Sequence, residues 1–524
     1  MAQLGTASRG VVHPIFEKTA HSPLGAPFAY SPRMRTAFSA VPVLFLLLGA
    51  SSFGCSSSSG DGSHEQGSSG STGSGGGSSS SVTGGSASSG GSGSSGGAAI
   101  VKASVSRDIV PSSDATVAAT ANNAFALALY GQLSPTANGG NFLASPLSAD
   151  LALTMTYAGA QGETATQMAS VLQIPSSGTS IFDAQNALTN ALNGRAAVAL
   201  AADTKTAQGN GAPAPSSDDY AVQVVNSVWG QVGYPWDAPF LNILAASYGT
   251  GVYVEDFKSN ATGAESAINA WVDTATSGKI NPLLGPGAIT GDTRLVLVNA
   301  IHVKLPWQSP FQTTQTSPGP FTRGDGSTVQ AQMMLQSFGQ DSIPQVNIGY
   351  QQTSAGQFLS LPLSGGQLSV VFALPTTDLA SLASSLTANS FSVPSTGDYV
   401  NLTLPKFSYA TDTFSLATAL KSLGMTDAFN RETANFKGIC TTTPDGDNLY
   451  ISDVLQKATL DVAENGVEAA AATAVLVATA GVSSPNPPPT INLVFDKPFL
   501  VSIVDATGAI LFLGQINDPT ATGN

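Results

Sequence analysis

"ENGVEAAAATAVLVATAGVSSPNPPPT" (residues 464–490) sets four consecutive alanines beside a β-branched run and closes on a proline cluster. Alanine is the best helix former, yet the alternation of Val475 and Val477 reads as strand, and the prolines of 485–489 fit neither state. A segment with such divided preferences suits a chain that must be tolerable in one conformation and better in another.

Working outward, composition removes much of the chain from the search for a core. Residues 56–97 hold 19 Ser and 15 Gly among 42 positions. Such a coil spans roughly 35–40 Å and has almost nothing to bury. The domain reading is therefore 1–55 as an N-terminal extension with a signal segment, 56–113 as a disordered Ser/Gly-rich tether, and 114–524 as the folded domain. The last is rich in Val, Leu, Ala and Phe and long enough for a sizeable core. The formal charge is −14 with no Lys/Arg cluster, which excludes nucleic acid as a partner.

"RMRTAFSAVPVLFLLLGASSFGC" (33–55) supplies Arg33, Arg35, an apolar run over 38–48, small residues and then Cys55. The run is too short to span a bilayer. Its order is that of a bacterial secretory signal ending at a lipidated cysteine, with Met34 as an alternative start. Ser52 stands where such signals usually carry Leu, so ordinary export with cleavage nearby stays open. The expected location is a lipid-anchored outer-membrane or cell-surface site, or a secreted or periplasmic one. Any membrane contact would run through the lipid alone. With Cys55 acylated, Cys440 has no disulfide partner and reads as a small buried thiol.

Helical periodicity comes early, in "ATVAATANNAFALALYGQL", "SPLSADLALTMTYAGAQG" and "GETATQMASVLQI". Strand-like runs follow: "YAVQVVNSVWGQ", "TRLVLVNAIHVK", "FLSLPL", "QLSVVFALP", "YVNLTLPKF" and "KATLDVAE", with a helix in "DTFSLATALKSLGM". The C-terminal runs about "DATGA" read as a hairpin. Helices first and strands after give an α+β class with large antiparallel or mixed sheets.

Enzyme chemistry finds little here. Three of the four histidines (His13, His21, His64) fall in the signal and tether regions, leaving His302 inside an apolar strand, where it reads as structural. Triad chemistry would have to run through it, and sites built on several histidines are excluded. No GxxxxGK[ST] or HExxH occurs. The chain is expected to be neither an enzyme nor a metalloprotein, and to need no cofactor.

Four stretches in order resemble the serpin family. "NFLASPLSADLALTMTYAGAQGETATQMASVL" matches its early helices, followed by "VNSVWGQVGYPWDAPFLNILAASYGTGVYVEDF" with "INAWVDTATSGKINPLL". "TRLVLVNAIHVKLPWQSPF" is similar to the strand that leads to a tryptophan. "LPKFSYATDTFSLATALKSLGMTDAF" then runs into "ISDVLQKATLDVAENGVEAAAATAV" and "FDKPFLVSIVDATGAILFLGQINDP". The likeness spans roughly residues 115–519. It implies the serpin fold: three β-sheets, eight or nine helices, and an exposed reactive loop at about 464–490.

The resemblance casts Glu464, Gly466, Val467, Glu468, Ala469, Ala470, Ala471 and Ala472 as the loop's hinge. Val467 stands where the family usually has Thr or Ser. In such proteins a protease cuts the loop, and the severed strand enters the main sheet before the acyl-enzyme is released; strand addition of this kind is a known recognition mode, for which serpins are a standing example. An inserted strand has period two. From Val467, one face carries Val467, Ala469, Ala471, Thr473, Val475 and Val477, none of them charged. The other starts with Glu468, so the only charge is directed outward. An unpaired charge on the inward face would cost several kcal/mol, on the order expected for an isolated buried ion.

The resemblance also places Ser145, Ser148, Asn299 and Gln456 at the point where the sheet opens, with Gln456 in place of a common histidine, and Trp307 near the loop's entry. Family spacing sets the scissile bond at Ala480–Gly481, with Ala478 and Thr479 as alternatives because the far side of the loop is long. The small, apolar neighbourhood "VLVATAGVSS" fits elastase-like or subtilisin-like pockets rather than trypsin-like ones. The implied activity is irreversible suicide-substrate inhibition by a monomer that ends covalently bound to its target protease. Serine proteases are the first target class and papain-like cysteine proteases the second. The alternative is a non-inhibitory family member acting as a binding or carrier protein.

Overall fold

"SPLSADLALTMTY" mixes polar and apolar residues on every side, yet the helix it forms, α2 (Pro146–Tyr157), is buried from Pro146 through Thr156. A helix covered all round belongs at the centre of a domain. Pro146 opens it at a position where the missing N–H breaks no bond. In this computed structural model, which describes residues 98–339, 348–444, 446, 448–468 and 490–523, α2 packs against α1 (Ala115–Leu133) and against the main sheet. The other described helices are α3 (Gly162–Val171), α4 (Ile181–Gly209), α5 (Ala238–Tyr248), α6 (Ala261–Ala275), α7 (Leu379–Ser385) and α8 (Ala417–Ser422). None of them is long and apolar enough to cross a membrane.

The described strands form three sheets. The main, nine-stranded sheet runs β1 (Ala99–Val101), β4 (Val252–Glu255), β3 (Ala221–Gln231), β5 (Leu295–Pro306), β16 (Gly466–Val467), β15 (Thr459–Ala463), β12 (Phe407–Ala410). Off that path, β14 (Asp453–Gln456) pairs with β5 and with β13 (Phe414–Ser415). A six-stranded sheet runs β2 (Phe142–Ala144), β19 (Ile510–Ile516), β18 (Phe499–Asp505), β10 (Leu368–Pro375), β9 (Gly356–Pro362), β8 (Gly349–Gln352). A four-stranded sheet runs β17 (Thr490–Val494), β11 (Tyr399–Pro405), β7 (Thr328–Phe338), β6 (Thr316–Thr322).

Strand β5 divides its side chains between two cores, as a strand covered on both faces must. Val296, Val298 and Ala300 pack with Ile268 and Val272 of α6, whose buried positions recur every four residues. Ile301, Val303 and Leu305 face the large core shared with the six-stranded sheet. His302 follows the α6-side parity.

The tether boundary at 113 needs correction. Residues 98–113 belong to the folded body: β1 pairs antiparallel with β4 at the edge of the main sheet. The Asp108 amide donates to the Ala246 carbonyl, and Arg107 bonds Asn186 and Thr189. The short apolar run "AAIV" after the last glycines supplies a strand that the Ser/Gly average of the segment conceals.

Candidate functional site

At its lower end β5 pairs in parallel with β14, setting Asp453, Val454 and Leu455 against Val296, Leu297 and Val298. At its upper end it pairs antiparallel with β16, setting Gly466 and Val467 against Pro306 and Leu305. Between these contacts, residues 299–304 of β5 have no described strand on that side. The main sheet is split by a slot, and the chain that enters it from the top is the first part of the ambivalent stretch.

The entry is tightly specified. Gly466 is required there: a Cβ would lie 2.3 Å from the Leu305 carbonyl oxygen, so any other residue drives the strands apart. Val467 fills the large core, opposite Val462 and Leu305. The preceding turn is clamped by the segment after β5. The Trp307 amide donates to the Asn465 carbonyl at 2.9 Å, the Trp307 indole to the Ala463 carbonyl at 2.8 Å, and the Phe311 amide to the Glu464 carbonyl at 2.8 Å. Glu464 itself is paired with Lys406 at 2.9 Å. Burial pushes its carboxyl up, but the bonds from Lys406 and Thr316 outweigh this and hold it below the ordinary range.

Glu468 is the last described residue of the hinge. Its φ of +51° lies in the left-handed region, which breaks the extended run after Val467. Its amide still donates to the Asp461 carbonyl at 3.0 Å. The outward face expected at Glu468 is not a solvated one: its side chain is nine-tenths buried and paired with Lys279 and with His302 Nε2, the latter at 2.6 Å. Burial raises its carboxyl, and the contacts with His302 and Lys279 more than reverse that. Reading His302 as a plain strand residue missed this contact. Parity alone puts His302 on the α6 face; the β5–β16 register that brings Glu468 to it is set by tertiary pairing.

Lower down, Gln456 and Ser145 pair like two peptide groups. The Ser145 amide donates to Gln456 Oε1 at 3.0 Å and Gln456 Nε2 donates to the Ser145 carbonyl at 2.8 Å. Ser145 Oγ donates to the Leu511 carbonyl, tying α2 to β19. Ser148 is buried on α2. Asn299 sits on β5 opposite Asn226 of β3, at the top of the parallel pairing. The structure thus gathers Ser145, Ser148 and Gln456 at one junction, with Trp307 at the other end of the slot. Ala469, Ala470, Ala471, Ala472, Ala478, Thr479, Ala480, Gly481 and Cys55 lie outside the described residues.

No group of three or more His, Cys, Asp or Glu side chains that could hold a metal ion occurs among the described residues. Cys440 is buried, its thiol raised by burial and its Sγ turned to the Thr442 carbonyl.

Comparison with known proteins agrees with this geometry. A family model described as "Serpin (serine protease inhibitor)" matches residues 120–519. Plasminogen activator inhibitor 2 of Homo sapiens is 31% identical over 427 residues, 76% of this chain and 99% of that protein. Iripin-8 of Ixodes ricinus is 33% identical over 426 residues, 80% of this chain and 98% of that protein. The crystal structure of a thermophilic serpin, tengpin, in the native state superposes with a TM-score of 0.64 at 26% identity, covering 80% of this chain and all of the other. A split main sheet entered from above by a Gly-Val hinge, on a chain matched along nearly its whole folded length, belongs to one family: this protein is a serpin.

Proposed function

We propose that the protein is an irreversible, suicide-substrate inhibitor of serine proteases with small-residue specificity, working by loop cleavage and strand insertion. The observation that carries this is the hinge, already two residues into the main sheet and in register with a slot that no described strand fills.

That register supplies the mechanism. Gly466 opposite Pro306 and Val467 opposite Leu305, continued downward, set Thr473 opposite Asn299 and Val477 opposite Leu295. Ala480 then comes level with Asp292, just beyond the lower end of β5. A protease acylated at Ala480 would be carried roughly 45 Å, the length of a fourteen-residue strand. Insertion must part β14 from β5, and the gain comes from filling the slot with backbone hydrogen bonds and apolar side chains. Ala469, Ala471, Val475 and Val477 suit the large core, and Ala470, Ala472 and Ala474 are small enough to pass under α6. The protein supplies no catalytic group: the protease's own nucleophile forms the ester, and displacement halts its hydrolysis.

The relatives support the target class. Plasminogen activator inhibitor 2 is named for inhibition, and the family for serine proteases. The signal-like segment and tether support an exported protein, anchored through Cys55. Incubating the purified chain with pancreatic elastase or subtilisin and running a denaturing gel tests the reading. A boiling-resistant adduct is expected, with the released C-terminal peptide starting at Gly481 by mass spectrometry. Clean cleavage without an adduct, or a nicked protein that melts no higher than the intact one, overturns it.

A further inference from the structure

We propose that the outward face of the four-stranded sheet is a secondary docking surface for the target protease, engaged while the protease holds the reactive loop. The choice of partner rests on the inhibitory reading above; the face itself rests on separate geometry.

The face is a regular grid. In β11, Tyr399, Asn401 and Thr403 turn outward while Val400, Leu402 and Leu404 enter the large core. Direct register sets Thr490, Asn492 and Val494 of β17 beside those three on one flank. On the other flank, Ser337 and Leu335 of β7 stand opposite Asn401 and Thr403. Gly339 completes that flank, because a Cβ there would lie 2.1 Å from the Tyr399 ring. The middle row is bonded across the strands. Ser337 Oγ donates to Asn401 Oδ1 at 2.8 Å, and Asn401 Nδ2 donates to Asn492 Oδ1 at 3.0 Å. The last row leaves Leu335 and Val494 exposed by 42% and 41% on either side of Thr403.

Composition marks the face as a protein contact. The chain has 33 acidic and 19 basic residues, yet β6, β7, β11 and β17 contain none. Protein-binding surfaces are depleted of charge at their centres. Antibody paratopes, which must adapt to a partner, are built from Tyr, Ser, Asn and Gly, the residue types of the first two rows here. The bonded amide row is already ordered, so little side-chain freedom is lost on contact.

Size and position select the occupant. Three strands by five residues cover roughly 250–300 Å², against about 800 Å² per partner in a stable complex. A face so small holds only a partner that another contact has already brought to it, where effective concentration makes up for weak affinity. Thr490, in the first row, is the first described residue after the reactive loop. It follows Ala480 by ten positions, a span of at most roughly 34 Å when fully extended. A protease domain of about 250 residues has a radius of gyration of about 18 Å, so one engaged near Ala480 is within reach of the grid.

Inhibition kinetics of the purified full chain with subtilisin test the face. Asn401→Lys and Asn401→Asp put opposite charges at the centre of the grid, and Leu335→Lys puts one in its last row without breaking a hydrogen bond. Each should lower the second-order rate of inhibition about tenfold, with stoichiometry of inhibition and thermal midpoint unchanged. Thr328→Lys, at the far end of β7, should leave the rate as it is. If the Asn401 variants lose thermal stability, Leu335→Lys and Val494→Lys decide alone. Rates equal to the parent's overturn the face. So do opposite responses to Lys and Asp at 401, which report long-range steering rather than contact. A fall in rate matched by a rise in stoichiometry also overturns it, because the effect then lies in strand insertion. A parent cut cleanly without an adduct sinks the inhibitory reading instead, and kcat/KM for loop cleavage across the same variants then decides the face.

Discussion

The two ends of the slot are closed by different chemistry. At the top the hinge is held by charge: Glu464 on Lys406, and Glu468 on His302 and Lys279. At the bottom, β14 is held to β5 by parallel backbone pairing and to α2 by the uncharged Gln456–Ser145 amide pair. Charge pairs respond to pH and exchange partners readily, whereas neutral buried bonds do neither and cost their full desolvation when broken. A molecule that must hold its loop ready yet resist opening its sheet has the responsive contacts at the entrance and the unresponsive ones where opening has to be forced.

The largest break in this comparison is Val467→Arg. It puts a cation into the large core between Val462 and Leu305, a cost of several kcal/mol for an unpaired buried charge. Covalent adduct with elastase should fall at least about 100-fold while cleavage of the loop continues, an effect of about 2.7 kcal/mol or more. Equal adduct yield would show that entry at Val467 does not govern insertion.

The next tests the lower half from beneath. Asp150 of α2 is fully buried, and burial lifts its carboxyl to about 7 despite bonds from Gln185 and Thr154. The folded protein then holds a proton that the unfolded chain has released, so stability falls as pH rises from about 4 to about 7. Asp150→Asn should flatten that slope and raise stability at pH 8 by about 3–4 kcal/mol, read from urea midpoints at pH 5 and pH 8. Gln456→Leu comes next: it leaves the Ser145 amide unpaired and the Ser145 carbonyl with the Ala149 amide as its remaining donor, costing about 1–3 kcal/mol at every pH. Gln456→His should make the lower end pH-dependent in the same urea midpoints.

How much of this could be read in advance depended on where the information lay. Helix α1 and strands β3, β9 and β10 stood out because each carries a local apolar pattern that can be read without its partners. The hinge's two faces were legible for the same reason: period two decides which side of a strand a residue takes. Strands β6 and β7 were not, since "TSPGPFT" carries two prolines and a glycine, and "TVQAQMMLQSF" is flexible and polar by composition; tertiary pairing overrides both. The 29-residue helix α4 was hidden because its buried residues lie mostly in its first half. The partners of Glu468 were beyond reach for another reason. Lys279, His302 and Glu468 are distant in sequence, and only the β5–β16 register and the turn after α6 bring them together.

The smallest effect separates the two charged anchors at the top. Lys406→Met removes a partner that is half exposed, so the loss should be only about 1 kcal/mol, measured in the first unfolding transition. Its pH dependence is more telling than its size. Because Glu464 is depressed in the folded state, the Lys406 contribution is complete above the ordinary glutamate range and fades as pH falls through the lower folded value. The difference between parent and variant should therefore be constant from pH 6 to pH 8 and fade as pH falls below the ordinary glutamate range. Over that same neutral range the Lys406–Glu464 pair keeps the turn anchored. A Lys406→Met difference that shrinks between pH 6 and pH 8 would mean that the two glutamates titrate as one unit and that the top of the slot has a single anchor.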